Sequence, residues 1–448
     1  MRMSAARRLI LASSLSVGGN HAGLWRHPRY WANASIDIDY FTSSARKAEE
    51  GKLDFVFVGD TLFVDEHSAP QLINRLEPLT LLSAVAAATS RIGLVGTLST
   101  TYHEPYHTAR LFGSLDHISR GRAGWNVVTT ALPGSAANFS RDSHPEHDQR
   151  YKVADEFLEI VKGLWDSWEE GAFLRDKSSG VYFQPEKLHT LNYKGNYFSV
   201  RGPLSMERPP QGWPVIVQAG ASEAGQAFAA RHAEIVFTHQ HSVEEARQFY
   251  RELKARAVSL GRDPQSLLVL PGINVITAAS SEEAHARQAE IDGLADIDEA
   301  LKGVEKYFQP SALNGIPLDE PLLPFLDKLL TDGFQAETAR IARLVRADHL
   351  TLRQLALRLA SRSGRNPFVG TPEHVADTIQ HWFNSEAADG FIVSSGPIVP
   401  EGIHRFVDHV LPLLQQRGLY RTEYTSATLR DHLGLPFPAN RFSRASSR

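Results

Sequence analysis

A set of polar residues, each at the end of an apolar stretch, carries most of the chemistry this sequence could perform. His21 stands in "GNHAGLWRHP", Asp60 closes "DFVFVGD", and Thr97, Ser99 and Thr101 alternate along "IGLVGTLSTT". Asn126 interrupts "AGWNVVTT", and His147 and Tyr151 lie four residues apart in "HPEHDQRYKVADEF". On a helix that spacing puts both on one face. Ser222 falls inside "AGASEAG", residues 219–225, directly after "WPVIVQ". A helix start with so little side chain around it suits an anion, such as a phosphate, lying on free backbone N–H groups. An ordinary strand-to-helix turn capped by Ser222 is the plainer alternative.

Each of the other residues also has a plain reading. Asp60 can be a turn or cap residue, Thr97 and Ser99 strand residues, and His147 and Tyr151 part of a solvated helix start. His21 can be a packed loop histidine. Asn126 is more telling, because a buried amide needs partners. No acid–base pair and no nucleophile triad emerges. Hydroxyls, one amide, one carboxylate and a phosphate-like turn suit holding a cofactor that carries the reaction itself.

The elements that must position these residues alternate in type. Strand-like runs at 9–17, 54–60, 92–101, 123–130, 214–220, 234–240, 267–277 and 390–396 are each followed by a helical pattern. The runs are continuously apolar, as parallel strands buried on both faces are. Eight such units predict an α/β fold, a (β/α)8 TIM barrel, with function on the loops after the strands. A doubly wound open sheet has the same element order. Residues 1–435 read as a single barrel domain, with insertions at about 169–213 and 286–370 and a tail at 436–448. The second insertion is a helical one between strands seven and eight. The segment from Gly418 is expected to leave the barrel and pack on a neighbour or a second subunit.

Composition narrows the classes. The chain has 448 residues and no cysteine, which removes disulfides, thiolate metal sites and a cysteine nucleophile. Its 47 basic and 51 acidic residues give a net charge of −4, so bulk charge offers no case for nucleic acid or membrane surface. The 19 histidines show no metal-ligand spacing, so no metal is expected. The basic, then apolar N-terminus imitates a signal peptide, but the apolar run is short and broken by serines. The expectation is a cytoplasmic protein.

Several stretches together resemble one family. "WRHP", "DFVFVGD", "EPYHTARLFGSLDHISRGRAGWN", "HPEHDQRYKVADEFLEIVKGLWDSW", "QAGASEAG" and "RGLYRTEYTSATLRDHLGL" are similar to the nitrilotriacetate, EDTA and dibenzothiophene-sulfone monooxygenases. These belong to the bacterial luciferase-like flavin-dependent enzymes, which implies the barrel rather than the open sheet. The resemblance further implies a two-component system. Reduced FMN arrives as a cosubstrate from a separate NAD(P)H:flavin reductase and reacts with O2 to a C4a-(hydro)peroxyflavin. That species oxygenates a small organosulfur or N-substituted substrate. A homodimer or homotetramer is expected.

The resemblance also implies roles. Ala221, Ser222 and Tyr151 would hold the FMN phosphate, with His147 touching the flavin. Asp60 and Asn126 would flank the ring, together with Thr97 or Ser99, and Phe57 would form its apolar wall. His21 would be catalytic. Two other outcomes stay open: an F420-dependent oxidoreductase of the same superfamily, and a non-catalytic flavin-binding protein.

Overall fold

The computed structural model describes residues 7–443, apart from 16–22, 67, 69, 221, 241, 295–296, 306, 309–311, 327–334, 362–365, 395–397 and 399–400. The apolar runs form strands β1 (Ile10–Ser14), β2 (Phe55–Val58), β3 (Gly93–Ser99), β4 (Ala123–Val128), β5 (Val215–Gln218), β6 (Ile235–Thr238), β7 (Leu268–Ile273) and β8 (Gly390–Ser394). They pair in sequence order, and β8 returns to β1 to close a barrel. All these pairings are parallel. Helices α1 (Ile38–Glu50), α2 (Pro78–Ala88), α3 (Pro105–Ser119), α4 (His147–Trp165), α5 (Glu223–His232) and α6 (Val243–Ser259) follow the first six strands. The open-sheet alternative is thereby removed.

Alternation along the strands divides two cores. Val56, Leu94, Trp125 and Ile216 face outward and pack among the helices. Ile10, Phe55, Phe57, Val95, Val217, Leu270 and Ile392 fill the barrel. Period two therefore sets which polar residues face the interior. Asn126, between the outward-facing Trp125 and Val127, is directed inward.

The segment from Gly418 corrects an expectation. It does not leave the barrel but packs against the barrel's own floor. Leu429, Leu433 and Leu435 join the interior core from below. A Cβ on Gly93 would lie 2.5 Å from Leu429 Cδ1 and 2.9 Å from the Asp54 carbonyl oxygen, which cannot give way, so only glycine fits at the start of β3. Two carboxylates, Asp54 fully buried and Glu234 partly so, anchor this floor. Asp54 accepts the Leu11 N–H at 2.9 Å and is paired with Arg421. Glu234 accepts the Ile216 N–H at 2.9 Å and is paired with Arg430. Each carboxylate satisfies an unpaired strand N–H, and a cation from the C-terminal segment neutralises it.

Between β7 and β8 the helices Ile297–Glu305, Gln335–Asp348 and Leu352–Ser361 share a core of their own, which includes Val304, Phe308, Ile341, Val345 and Leu355. This subdomain joins the barrel through two short parallel strands, Ile276–Thr277 and Val369–Gly370. Residues 169–213 run along the outside. There Glu156 of α4 accepts the N–H groups of Asn196, Tyr197 and Phe198 at 2.9, 3.1 and 2.9 Å.

Candidate active site

The strand ends bring the polar residues to one mouth of the barrel. Strand β5 stops at Gln218, and Ser222 caps α5 by accepting the Gly225 N–H at 3.2 Å. His147 and Tyr151 project from one face of α4, their rings 5.1 Å apart. His147 Nε2 lies 3.4 Å from Ser222 Oγ. Burial raises the Tyr151 phenol above its ordinary pKa, and hydrogen bonds with Ser222, Thr129 and Gln218 partly offset that.

Two glycines make this approach possible. A Cβ on Gly220 would lie 2.3 Å from Gln218 Nε2 and 3.0 Å from the Tyr151 hydroxyl. One on Gly225 would lie 2.9 Å from that hydroxyl and 3.1 Å from the Gly220 Cα. The backbone at the helix start is thus bare and faced by two hydroxyls and an imidazole. Free N–H groups and the positive end of the helix dipole favour an anion there. The small residues of "AGASEAG" serve this close approach. Ala221 lies outside the described residues.

A second group lies deeper in the mouth. Thr97 Oγ1 donates to the Val58 carbonyl at 2.8 Å and accepts from Asn126 Nδ2 at 2.9 Å. Asn126 Oδ1 is buried and has no partner. An orphaned buried acceptor costs free energy unless a ligand donor meets it. Ser99 is engaged differently: its hydroxyl accepts from the Thr101 N–H at 3.1 Å and from Thr130 Oγ1 at 2.5 Å, bracing the loop. Phe57 stacks on Phe237 with centroids 5.7 Å apart, just below this layer. Burial pushes the Asp60 carboxyl up to about 6, against a backbone hydrogen bond from Thr61 and the charge of Arg75. His21 lies outside the described residues.

Sequence reading missed Gln218, Thr129, Tyr102 and His144. Gln218 carried a signal, since it is a polar residue closing the apolar run "PVIVQ", as Asn126 is within its own strand. Its side chain is buried, and its Oε1 has no partner. Tyr102 and His144 meet across 42 residues of sequence, hydroxyl to Nδ1 at 2.6 Å, and nothing local announces that contact.

Comparison with known proteins decides the family. The luciferase-like monooxygenase profile matches residues 20–389. N-acetyl-S-(2-succino)cysteine monooxygenase of Bacillus subtilis (strain 168) is 47% identical over 441 residues, 98% of this chain and 100% of that one. This chain belongs to the luciferase-like monooxygenases. Another relative, nitrilotriacetate monooxygenase component A of Aminobacter aminovorans, is 44% identical and is matched over its whole length by 99% of this chain. A crystal structure of riboflavin lyase with modified FMN and riboflavin superposes with a TM-score of 0.86 at 32% identity, covering 96% of both chains. As a luciferase-like monooxygenase the chain is an oxygen-incorporating oxidoreductase of a flavin-dependent family, and its glycine-lined cradle and orphaned amide can take an anionic group and an N–H donor. Among the described residues no helix is long and apolar enough to cross a membrane, and no group of three His, Asp or Glu side chains could hold a metal ion.

Proposed function

We propose that this chain is the oxygenase component of a two-component system. It takes reduced FMN from a separate NAD(P)H:flavin reductase and uses O2 to oxygenate a small organosulfur or N-substituted substrate. The observation that carries this reading is the cradle formed by Gly220, Ser222, Gly225 and Tyr151. Related names agree with it: one relative is a "component A", and another is an N-acetyl-S-(2-succino)cysteine monooxygenase.

Bound reduced flavin supplies the electrons that activate O2. The protein's part is binding, orientation and exclusion of water. Ser222, Tyr151 and the N–H groups at the start of α5 hold the phosphate, with His147 beside them, and Ala221 is assigned to the same group. Asn126 Oδ1 accepts an N–H from the flavin ring, and Thr97 holds the amide in that orientation. Phe57 supplies the apolar wall and Asp60 a carboxyl at the ring's edge. Ser99 acts through the loop it braces. His21, in the segment that follows β1, donates a hydrogen bond and moves a proton near neutral pH.

The test is oxygen uptake with the purified chain, FMN, NADH and a supplied flavin reductase. A panel of carboxylated thioethers and N-substituted amino acids serves as substrate. Product carrying one atom from labelled O2 supports the reading. Hydride transfer to F420 without oxygen consumption would replace it.

A further inference from the structure

We propose that Tyr102 is the hydrogen-bond donor that recognises a carboxylate of the substrate, its O–H released into the barrel mouth because Arg150 fixes the tautomer of His144. Naming the ligand as substrate rests on the monooxygenase reading above; the donor geometry does not.

Tyr102 follows the C-terminal end of β3, and His144 lies in the loop between β4 and α4. The Tyr102 hydroxyl is 2.6 Å from His144 Nδ1. On the other side of the imidazole, Arg150 Nη1 meets His144 Nε2 and also donates to the Pro145 carbonyl at 2.9 Å. A guanidinium can only donate. His144 Nε2 is therefore the acceptor, and the single ring proton of the neutral imidazole sits on Nδ1. Burial and the charge of Arg150 hold the imidazole neutral, with its pKa pushed down to about 4 against a backbone hydrogen bond to Thr130, whose carbonyl can share the ring N–H with the Tyr102 oxygen. Nδ1–H then donates to the Tyr102 oxygen, and the phenolic proton of Tyr102 is not used within this relay.

The place of that proton is defined. The Tyr102 ring stacks on Phe139 with centroids 4.8 Å apart and planes 12° from parallel, so the hydroxyl cannot swing freely. The side chain is half-buried, with His103 beside Phe139 completing an aromatic wall between the loops after β3 and β4. The charges acting on the hydroxyl are those of Arg150 and Arg141, both positive. A fixed phenolic donor in a positive field, at the mouth of the barrel, suits an anionic oxygen acceptor. Among the described residues no hydrogen bond or ring contact joins Tyr102 to Ser222, Gly220 or Gly225. That separates it from the phosphate cradle and favours a substrate carboxylate over the cofactor phosphate. His144 and Arg150 are positioning residues, acting through Tyr102.

Succinate serves as the probe, titrated calorimetrically into the flavin-free chain. The wild type is expected to bind it, with succinamide at least tenfold weaker. Tyr102→Phe, whose ring keeps its stack on Phe139, should lose about ten- to hundred-fold in succinate affinity at unchanged melting temperature. His144→Leu, which keeps the hydroxyl but not the N–H that orients it, should lose several-fold, while His144→Asn, which can still present an N–H towards Tyr102, should stay close to wild type. Equal succinate affinity in wild type and Tyr102→Phe, no binding by the wild type, or equal affinity for succinamide would each overturn the proposal. So would a Tyr102→Phe variant that weakens FMN instead of succinate, since the hydroxyl would then serve the cofactor. His144→Asn falling with His144→Leu would overturn the tautomer argument. Failure of the chain to bind any flavin would leave these succinate results standing and would defeat only the monooxygenase reading.

Discussion

Asn126 Nδ2 donates to Thr97 Oγ1 at 2.9 Å, and that contact fixes which way the amide faces. The Thr97 hydroxyl proton is committed to the Val58 carbonyl at 2.8 Å, so its oxygen can only accept. The Asn126 NH2 group must therefore point at Thr97, which leaves Oδ1 buried without a partner. Thr97 rather than Ser99 orients the amide, because the Ser99 hydroxyl is occupied by Thr101 and Thr130.

This pair separates function from stability. Asn126→Leu removes an unsatisfied buried acceptor, so the flavin-free protein should melt no lower than wild type. FMN affinity should nevertheless fall by about tenfold or more, the cost of roughly one hydrogen bond of 1.5 kcal/mol. Thermal unfolding and fluorescence titration of one sample check both halves. Unchanged FMN affinity would remove Asn126 from the flavin site.

Asp60 predicts a pH dependence of stability. Its carboxyl titrates near 6 in the folded chain because burial disfavours the charged form. In the unfolded chain it titrates near ~3.9. Between these values the folded state binds more protons, so stability falls as pH rises through this window. Asp60→Asn should therefore be more stable than wild type at pH 7 to 8, by up to about 3 kcal/mol at roughly 1.4 kcal/mol per pH unit. The difference should vanish below about pH 4, under both of these values. Urea unfolding at several pH values measures it, and a gap that does not change with pH would contradict the assignment.

The floor makes a third prediction. The Arg421 and Asp54 side chains are 8% and 0% exposed, and Asp54 also accepts from the Tyr420 hydroxyl at 3.2 Å. Arg421→Met leaves a buried carboxylate without its cation and should cost about 3–5 kcal/mol in a denaturant melt. Restoring most of the loss with Asp54→Asn in the same chain would show that the uncompensated charge is the cause.

How much of this was legible in the sequence depends on the range of the interactions. The eight strands were readable because parallel strands buried on both faces leave continuous apolar runs. Asn126 and "AGASEAG" were readable because polar or small residues there break an otherwise apolar pattern. The floor was not readable. Leu429, Leu433 and Leu435 show an apolar face but not what covers it, and Gly93 reveals its role only when Leu429 is seen against it. The relay from Arg150 through His144 to Tyr102 depends on side-chain orientation across distant segments, which no local pattern encodes.

His21 is the proposed proton-moving group. His21→Ala should keep FMN binding and melting temperature while product formed per NADH oxidised falls by about 10²-fold, within the usual range for acid–base groups. Hydrogen peroxide release should rise in step. Unchanged product per NADH would make His21 part of the wall.

The phosphate cradle is tested most directly by comparing reduced FMN with reduced riboflavin, which lacks only the phosphate. Anaerobic titration of the wild-type chain should give FMN at least about a hundred-fold tighter, the equivalent of two charge-assisted hydrogen bonds. Ser222→Ala and Tyr151→Phe should each close about ten-fold or more of that gap and leave riboflavin binding unchanged. Oxidised FMN should bind more weakly than reduced FMN and be lost on dialysis, as a cosubstrate must be. Equal affinities for the two reduced flavins in the wild type would contradict the cradle and the function proposed from it.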